Sequence, residues 1–185
     1  MTAPSEASMK EIHELIAVDT TSRDSNLPLI ENVVKKLDAY GISSQLIHND
    51  EGTKANLLAT IPAADGTRTG GIVLSGHTDV VPVDGQDWSS DPFDAQVRDG
   101  KLYGRGTCDM KGYLGVILAK LDQLTSAKLA EPIHLALSYD EEVGCVGAVS
   151  LVQKIVDENL APRRRSRLLR RRTAPGGLAR QVLRW

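Results

Sequence analysis

Two short segments, one continuously apolar and the other apolar except for His134, each lead into a polar motif, and this arrangement constrains the fold more than any other feature of the sequence. Residues 72–74 precede Gly76-His77-Thr78-Asp79, and residues 133–137 precede Tyr139-Asp140-Glu141-Glu142. A continuous apolar run of this length is typical of a strand that is covered on both faces. Segments with helical spacing of apolar residues lie between and before these runs. Because strands that alternate with helices form layered domains, we predict an α/β fold.

Periodicity and turn residues place the remaining elements. The predicted elements are, in chain order, helices at 9–18 and 28–40, strands at 44–48, 56–61 and 72–74, a helix from Asp109 to Leu124 and a strand at 133–137. We therefore expect a layered domain with a mixed, largely parallel sheet flanked by helices. In open sheets of this kind functional residues gather beyond the carboxyl ends of the strands. The polar motifs fall at such positions.

The charge of the chain changes abruptly near its carboxyl end. Residues 1–162 hold all 24 acidic residues against 13 basic ones, whereas residues 163–185 hold nine arginines and no acid. This change predicts a boundary near Pro162. We expect residues 1–162 to form the folded domain and residues 163–185 to be a disordered tail, because like charges repel and few apolar groups offset the entropy of ordering. One hypothesis is that the tail is translated from a shifted reading frame.

Nothing in the sequence points to a membrane or an oxidising compartment. The apolar runs are shorter than the roughly 20 residues that span a bilayer, and residues 1–10 lack the apolar stretch of a signal peptide. The cytoplasm is the expected compartment. The two cysteines, Cys108 and Cys145, do not have the spacing of a zinc knuckle or a disulfide framework. We interpret both as small buried side chains.

The first candidate site residues are His77 and Asp79. Side chains two apart in a strand point to the same face, so the Asp79 carboxylate can lie beside the His77 ring. A carboxylate that is hydrogen-bonded to one ring nitrogen leaves the other nitrogen free to bind a metal ion. The structural alternative is a histidine that ends a strand, followed by an ordinary turn aspartate.

Three further carboxylates complete the candidate set. Asp109 stands among glycines and either binds a metal ion or caps the following helix. Glu141 and Glu142 would repel each other unless a cation or protons intervened, although a solvated acidic turn is the alternative. We expect their side chains to diverge, so that one binds metal and the other exchanges a proton with the attacking water. Because all of these residues follow predicted strands of one domain, we favour a metal-dependent hydrolase site.

These motifs resemble the amino-terminal part of the acetylornithine deacetylase and succinyl-diaminopimelate desuccinylase family of metallohydrolases. That family also includes aminoacylases and carboxypeptidases. The resemblance covers residues 9–159 and is carried by the segments 75–83, 88–93, 102–112 and 138–145. Within the family, the motifs are most similar to those of the deacetylases that act on N-acetyl-L-ornithine.

The resemblance implies a pair of divalent metal ions, with zinc as the native ion and cobalt as a substitute. It implies that His77 binds one ion, that Glu142 binds the other and that Asp109 bridges both. Asp79 would orient His77, and Glu141 would be the general base and acid. The implied reaction is hydrolysis of N-acetyl-L-ornithine, a small N-acylated amino acid, to L-ornithine and acetate in arginine biosynthesis.

The sequence departs from the family pattern after about residue 159. Family members continue into another carboxylate ligand, a lid and dimerisation domain through which they form homodimers, and a late histidine ligand. Here no acid follows Glu158 and no histidine follows His134, which implies a catalytic domain truncated before the lid. Because catalytic zinc normally has about three protein ligands, we expect weak metal binding and little turnover from this chain alone.

Three other interpretations stay open. The chain could derive from another amidohydrolase of the same family, such as a desuccinylase, an aminoacylase or a dipeptidase. It could be a non-enzymatic module whose arginine-rich tail binds nucleic acid, although the tail has no aromatic residue before Trp185 and no recognisable binding motif. It could also be a nonfunctional, poorly folded product that lacks a cooperative unfolding transition.

Overall fold

A computed structural model describes residues 4–160 of the chain. The arginine-rich tail at 163–185 and its predicted boundary at Pro162 lie outside these residues. The elements are α1 (Glu6–Ile16), α2 (Leu27–Ala39), β1 (Ser44–His48), β2 (Ala55–Ile61), β3 (Ile72–His77), β4 (Gln96–Arg98), β5 (Lys101–Tyr103), α3 (Lys111–Leu118), α4 (Leu121–Ser126), β6 (Ile133–Ser138) and α5 (Val146–Asp157). No helix within the described part is long and apolar enough to span a bilayer.

The main sheet has four strands in the order β1-β2-β6-β3. The predicted α/β class with a mixed sheet and flanking helices is confirmed. The expectation of a largely parallel sheet is wrong for the described strands, because β1-β2 and β2-β6 are antiparallel and only β3-β6 is parallel. The connections explain this difference. The loop at 49–54 joins β1 and β2 as an antiparallel hairpin, whereas the connection from β3 to β6 contains α3 and α4, as a parallel crossover does.

Apolar side chains cover both faces of this sheet in separate clusters. On one face, alternate residues of β2 and β6 such as Leu57 and Leu135 pack with α1, α2 and α3. On the other face, Leu58 and Ala136 pack against Leu151 of α5. Successive side chains along the strands therefore pack into two apolar layers in turn, and this alternation fixes the register of the sheet.

Strand β3 lies at the edge of the described sheet. Its apolar run was expected to be covered on both faces, but Ile72 is 56% exposed. Val73 packs partly against the cluster under α5, and Leu74 packs partly against the main core. Each face of β3 thus has apolar neighbours, and its incomplete burial follows from the edge position.

Helices α1 and α3 approach closely at Gly115. A Cβ atom at this position would lie 2.6 Å from Ile12 Cγ1 and 2.8 Å from the Ile12 backbone nitrogen. Both distances are shorter than van der Waals contact, so only glycine fits without a shift of one helix. This contact fixes α3, which follows directly after the Asp109 loop.

The structure differs from the predicted elements at four places. The helix predicted from Asp109 to Leu124 begins two residues later and is divided into α3 and α4. Sequence reasoning missed α5, and it missed the β4-β5 hairpin, whose Asp99-Gly100 turn has positive φ at both residues. An Asp-Gly pair between strands is a strong signal for such a turn. The cysteines Cys108 and Cys145 are exposed and not buried, because both lie in loops around the site.

Candidate metal centre

The site lies at the carboxyl ends of β3 and β6. His77 is the last residue of β3 and pairs in parallel register with Ser138, the last residue of β6. Because the two strands run in the same direction, the residues that follow them emerge side by side. Glu141 and Glu142 come three and four residues after Ser138, in a turn that precedes α5. The parallel pairing therefore brings two of the three predicted motifs together.

Asp109 reaches the same place along a different route. It lies in the loop between β5 and α3. The prediction that it follows a strand of the main sheet is therefore wrong. The loop folds tightly onto the start of α3, where the Gly112 amide donates to the Gly106 carbonyl at 3.1 Å. A Cβ atom on Gly112 would lie 2.1 Å from the Thr107 carbonyl oxygen, so a side chain does not fit there. The peptide bond after Asp109 is cis.

The His77 ring is buried and is held at both nitrogens. Its Nδ1 donates to the backbone carbonyl of Asp79 at 2.9 Å, and the Asp79 carboxylate lies 3.5 Å from the same nitrogen. Orientation of the ring therefore comes from the Asp79 backbone as well as the predicted carboxylate. The other nitrogen, Nε2, lies 2.9 Å from Asp109 Oδ1. A metal ion at Nε2 would take the place of the proton in this contact.

The charged neighbours of His77 stabilise its protonated form. Burial alone would disfavour the imidazolium, but hydrogen bonds to Asp79 and Asp109 outweigh it and raise the pKa of His77 to about 9. The pKa of Asp79 falls to about 2, since hydrogen bonds from His77, Ser22 and two backbone amides outweigh its burial. Both side chains are thus ionised at neutral pH when no metal is bound.

Asp79 also fixes the turn that carries the two glutamates. Its carboxylate accepts hydrogen bonds from the amides of Glu141 and Glu142, at 3.0 and 3.2 Å, and from Ser22 Oγ at 2.7 Å. The carboxylate is almost completely buried. One aspartate therefore connects the histidine with the backbone of both glutamates.

The side chains of Glu141 and Glu142 converge on His77 and do not diverge as predicted. Single donor atoms of His77, Glu141 and Glu142 all lie within 4.8 Å of one another. The reason is that the two glutamates lie in a turn, so the alternation of a strand does not apply. Burial and the charge of Asp109 raise the pKa of Glu142. A divalent cation would relieve this repulsion.

The residues present fit a divalent metal ion. One imidazole nitrogen and several carboxylate oxygens, the donor types that zinc prefers, converge on one place. Asp109 is the most open of these residues, with its side chain 74% exposed. Its carboxylate contacts His77 Nε2 and is otherwise open to solvent. The metal-ligand roles of His77, Asp109 and Glu142 stay predictions.

Three further residues around the site received no assigned role from the sequence. Lys111 is fully buried, where its ammonium group donates to the Val18 carbonyl at 2.6 Å and burial lowers its pKa to about 8. Lys54 forms an ion pair with Asp140, directly before the glutamates. Ser22 bonds to Asp79, as described above. Asp140 is adjacent to Glu141 in the sequence, which could have indicated that it belongs to the site. Ser22 and Lys54 are far from the motifs in the sequence, so no local pattern indicated their role.

Comparison with known proteins places the chain in a family. The model of peptidase family M20/M25/M40 matches residues 73–171. The acetylornithine deacetylase of Proteus mirabilis is 39% identical over 71% of this chain and 33% of its own length. The acetylornithine deacetylase of Pasteurella multocida is 37% identical over 74% of this chain and 35% of its own length. The chain thus spans about a third of the length of these relatives.

Solved structures share the fold at lower sequence identity. Human carnosine dipeptidase 1 matches with a TM-score of 0.68 and 23% identity, over 82% of this chain and 36% of that protein. An M20 family metallo-carboxypeptidase from Sulfolobus solfataricus matches with a TM-score of 0.69 and 20% identity, over 85% of this chain and 36% of that protein. These similarities establish the layered α/β fold.

Proposed function

This chain belongs to peptidase family M20/M25/M40, and from that premise we propose that its site is the metal-binding part of an amide hydrolase that acts on N-acetyl-L-ornithine. The family resemblance found in the sequence is thereby confirmed. The observation that carries the proposal is the convergence of His77, Asp109, Glu141 and Glu142 at one end of the sheet. A histidine and three carboxylates whose donor atoms lie close together form a donor set that is typical of a metallohydrolase.

We assign the roles in the following way. His77 and Glu142 would each hold one of two divalent ions, and Asp109 would bridge them. The bridging role is supported by the exposed Asp109 carboxylate beside His77 Nε2. Zinc is the proposed ion, with cobalt as a substitute. When bound, the ions would polarise the scissile carbonyl and lower the pKa of the attacking water.

Glu141 is the proposed proton carrier. Its side chain is 44% exposed, and one of its oxygens lies 3.9 Å from His77 Nε2. The carboxylate is therefore adjacent to the proposed metal site and also accessible to solvent. Glu141 would take a proton from the water that attacks the amide carbonyl, and it would then donate that proton to the leaving amine nitrogen. Asp79 would keep the His77 ring and the turn of the glutamates in place.

N-acetyl-L-ornithine is the proposed substrate because three relatives with 37–39% identity are acetylornithine deacetylases. A role in arginine biosynthesis in the cytoplasm follows as part of this proposal. The peptidases among the solved structures are less than 25% identical and support the fold alone. Because the chain spans about a third of its relatives, we expect residues 4–160 to bind metal weakly and to have little activity by themselves.

The substrate can be tested in a chimera. Residues 4–160 would replace the matching part of the Proteus mirabilis acetylornithine deacetylase, and the purified chimera would be offered N-acetyl-L-ornithine, N-succinyl-L,L-diaminopimelate and a dipeptide. We expect acetate release from N-acetyl-L-ornithine to exceed hydrolysis of the other substrates. A folded, zinc-loaded chimera that prefers the succinyl substrate or the dipeptide would contradict the proposed substrate.

Metal binding can be tested in the chain itself. Calorimetric titration with zinc should detect binding in the wild type and a large loss in His77→Ala, since the proposed site has one histidine. His48→Ala is the matched control, because His48 is exposed on β1. Equal zinc affinity in wild type and His77→Ala would contradict the assignment.

A further inference from the structure

A largely buried ion pair lies directly beside the turn that carries Glu141 and Glu142. Lys54 Nζ contacts Asp140 Oδ1 at 2.6 Å, and each side chain is only 14% exposed. Among residues 4–160 it is the most buried ion pair of a lysine or arginine. Exposed pairs contribute little, whereas breaking a buried pair leaves an uncompensated charge. This pair therefore constrains its surroundings more than the surface pairs do.

Asp140 has a constrained backbone as well as a paired side chain. Its φ of +53° lies in the left-handed region, which aspartate tolerates better than most residues. This residue connects the end of β6 with the turn of the glutamates. If its carboxylate were released, the turn would lose the contact that holds this conformation at its first residue.

The same ammonium group also contacts a second segment. Lys54 Nζ donates to the Ser22 carbonyl oxygen, and Ser22 Oγ donates to Asp79. Asp79 in turn accepts the amides of Glu141 and Glu142. The contacts form a closed circuit from Lys54 through Asp140, the glutamate backbone, Asp79 and Ser22 back to Lys54. The circuit joins the β1-β2 hairpin, the segment before α2 and the turn of the glutamates.

We propose that Lys54 is a positioning residue that acts through Asp140 and Ser22 to hold Glu141 and Glu142 at the metal site. This inference rests on the proposed function for its consequence in metal binding. Lys54 itself does not contact the donor atoms of the site. Its effect is exerted on the backbone of the turn, which decides where the two carboxylates lie.

The first test needs no metal. Amide hydrogen exchange of Glu141 and Glu142 would be measured by NMR in the wild type, Lys54→Met, Asp140→Asn and the double variant, with the β6 amides of Leu135 and Leu137 as internal reference. We expect exchange of the two glutamate amides to be about tenfold faster in each single variant, with β6 unchanged. The double variant should be no faster than Lys54→Met, because Lys54→Met already removes the contact that Asp140→Asn breaks.

The second test measures cobalt affinity from the visible absorption of bound Co²⁺. We expect Lys54→Met to lower the affinity about tenfold, as changes around metal ligands commonly do. Lys54→Arg keeps the charge and should lie closer to the wild type. Lys154→Met is the matched control, since Lys154 forms an ion pair with Glu158 on the more exposed surface of α5.

The outcomes separate the two proposals. Wild-type exchange of Glu141 and Glu142 in Lys54→Met, or additive effects in the double variant, would overturn the positioning role whatever the metal result. Absence of cobalt binding in the wild type would contradict the proposed function, while the amide exchange would still decide the role of Lys54. If Lys54→Met does not fold, Lys54→Gln and Asp140→Asn allow the same comparison.

Discussion

At the scale of single residues, Asp79 organises the site by accepting hydrogen bonds only. Its carboxylate faces the Ser22 hydroxyl, two backbone amides and the His77 ring. A carboxylate can accept from all of these donors at once, whereas an amide side chain cannot. This complete match between acceptor and donors is the reason that Asp79 stays ionised although it is buried.

Replacement of Asp79 by asparagine should therefore be costly. In Asp79→Asn, the new amide group would point its hydrogens at donors, and the charge beside His77 would be lost. We expect the free energy of unfolding in urea to fall by about 3 kcal/mol. Asp84→Asn is the control, because Asp84 pairs with Arg23 on the surface and its loss should hardly change stability. Equal effects of the two substitutions would contradict this role of Asp79.

The pKa of His77 predicts how the stability of the metal-free chain depends on pH. The folded state raises the pKa of His77 from 6.5 to about 9, so this contribution is complete below pH 6.5 and disappears as the pH rises through about 9. Thermal unfolding in the presence of a chelator should show a falling midpoint over this range. His77→Asn should have a flatter profile. A fall of the same size in both proteins would show that another group is responsible.

The sequence was sufficient to name the candidate residues but not the geometry in which they lie. His77, Asp79, Asp109, Glu141 and Glu142 stand out because their types and spacing match metal chemistry. The convergence of the two glutamates depends on a turn that the strand pattern does not encode. The contacts of Ser22 and Lys54 depend on long-range packing, so no local pattern could have revealed them.

At the scale of elements, the contact between α1 and α3 sets the position of the Asp109 loop. In Gly115→Ala the added methyl group would meet Ile12. We expect chemical denaturation to show a loss of about 1–3 kcal/mol, which is typical of overpacking. Val116→Ala lies on the exposed side of the same helix and should cost less than about 1 kcal/mol. A neutral Gly115→Ala would mean that the two helices are farther apart than described.

Helix α5 has apolar residues on opposite sides. Leu151 is buried against the sheet, whereas Val149, on the other side, is 73% exposed. We expect Leu151→Ala to lower stability by about 2–5 kcal/mol and Val149→Lys to change it by no more than about 0.5 kcal/mol. Urea unfolding of both variants checks this prediction. A large loss in Val149→Lys would contradict the described orientation of α5.

Prediction of elements succeeded for α1, α2 and the strands of the main sheet, but it missed α5 and the β4-β5 hairpin. Helices α1 and α2 and the strands of the β1-β2 hairpin were located within a few residues. The direction of the strands was wrong because apolar runs do not encode pairing partners, which depend on the connections. The β4-β5 strands have three residues each, too few for a periodic signal.

At the scale of the whole molecule, parallel pairing of β3 with β6 is the feature that creates the site. It brings His77 beside the glutamate turn, and the packing of α3 adds Asp109 from the loop before it. The layered α/β architecture was predictable from the alternation of elements and is shared with longer members of the family. The chain supplies about a third of the length of its relatives, and within that third it brings together one histidine and three carboxylates.

The most direct test of the account is the position of a metal ion in crystals of the chain soaked with zinc. An anomalous difference map at the zinc absorption edge should show a peak about 2.0–2.1 Å from His77 Nε2. The carboxylates of Asp109 and Glu142 should lie around the same site. A peak elsewhere, or no peak at His77 in well-ordered crystals, would contradict the central claim that these side chains form a metal centre.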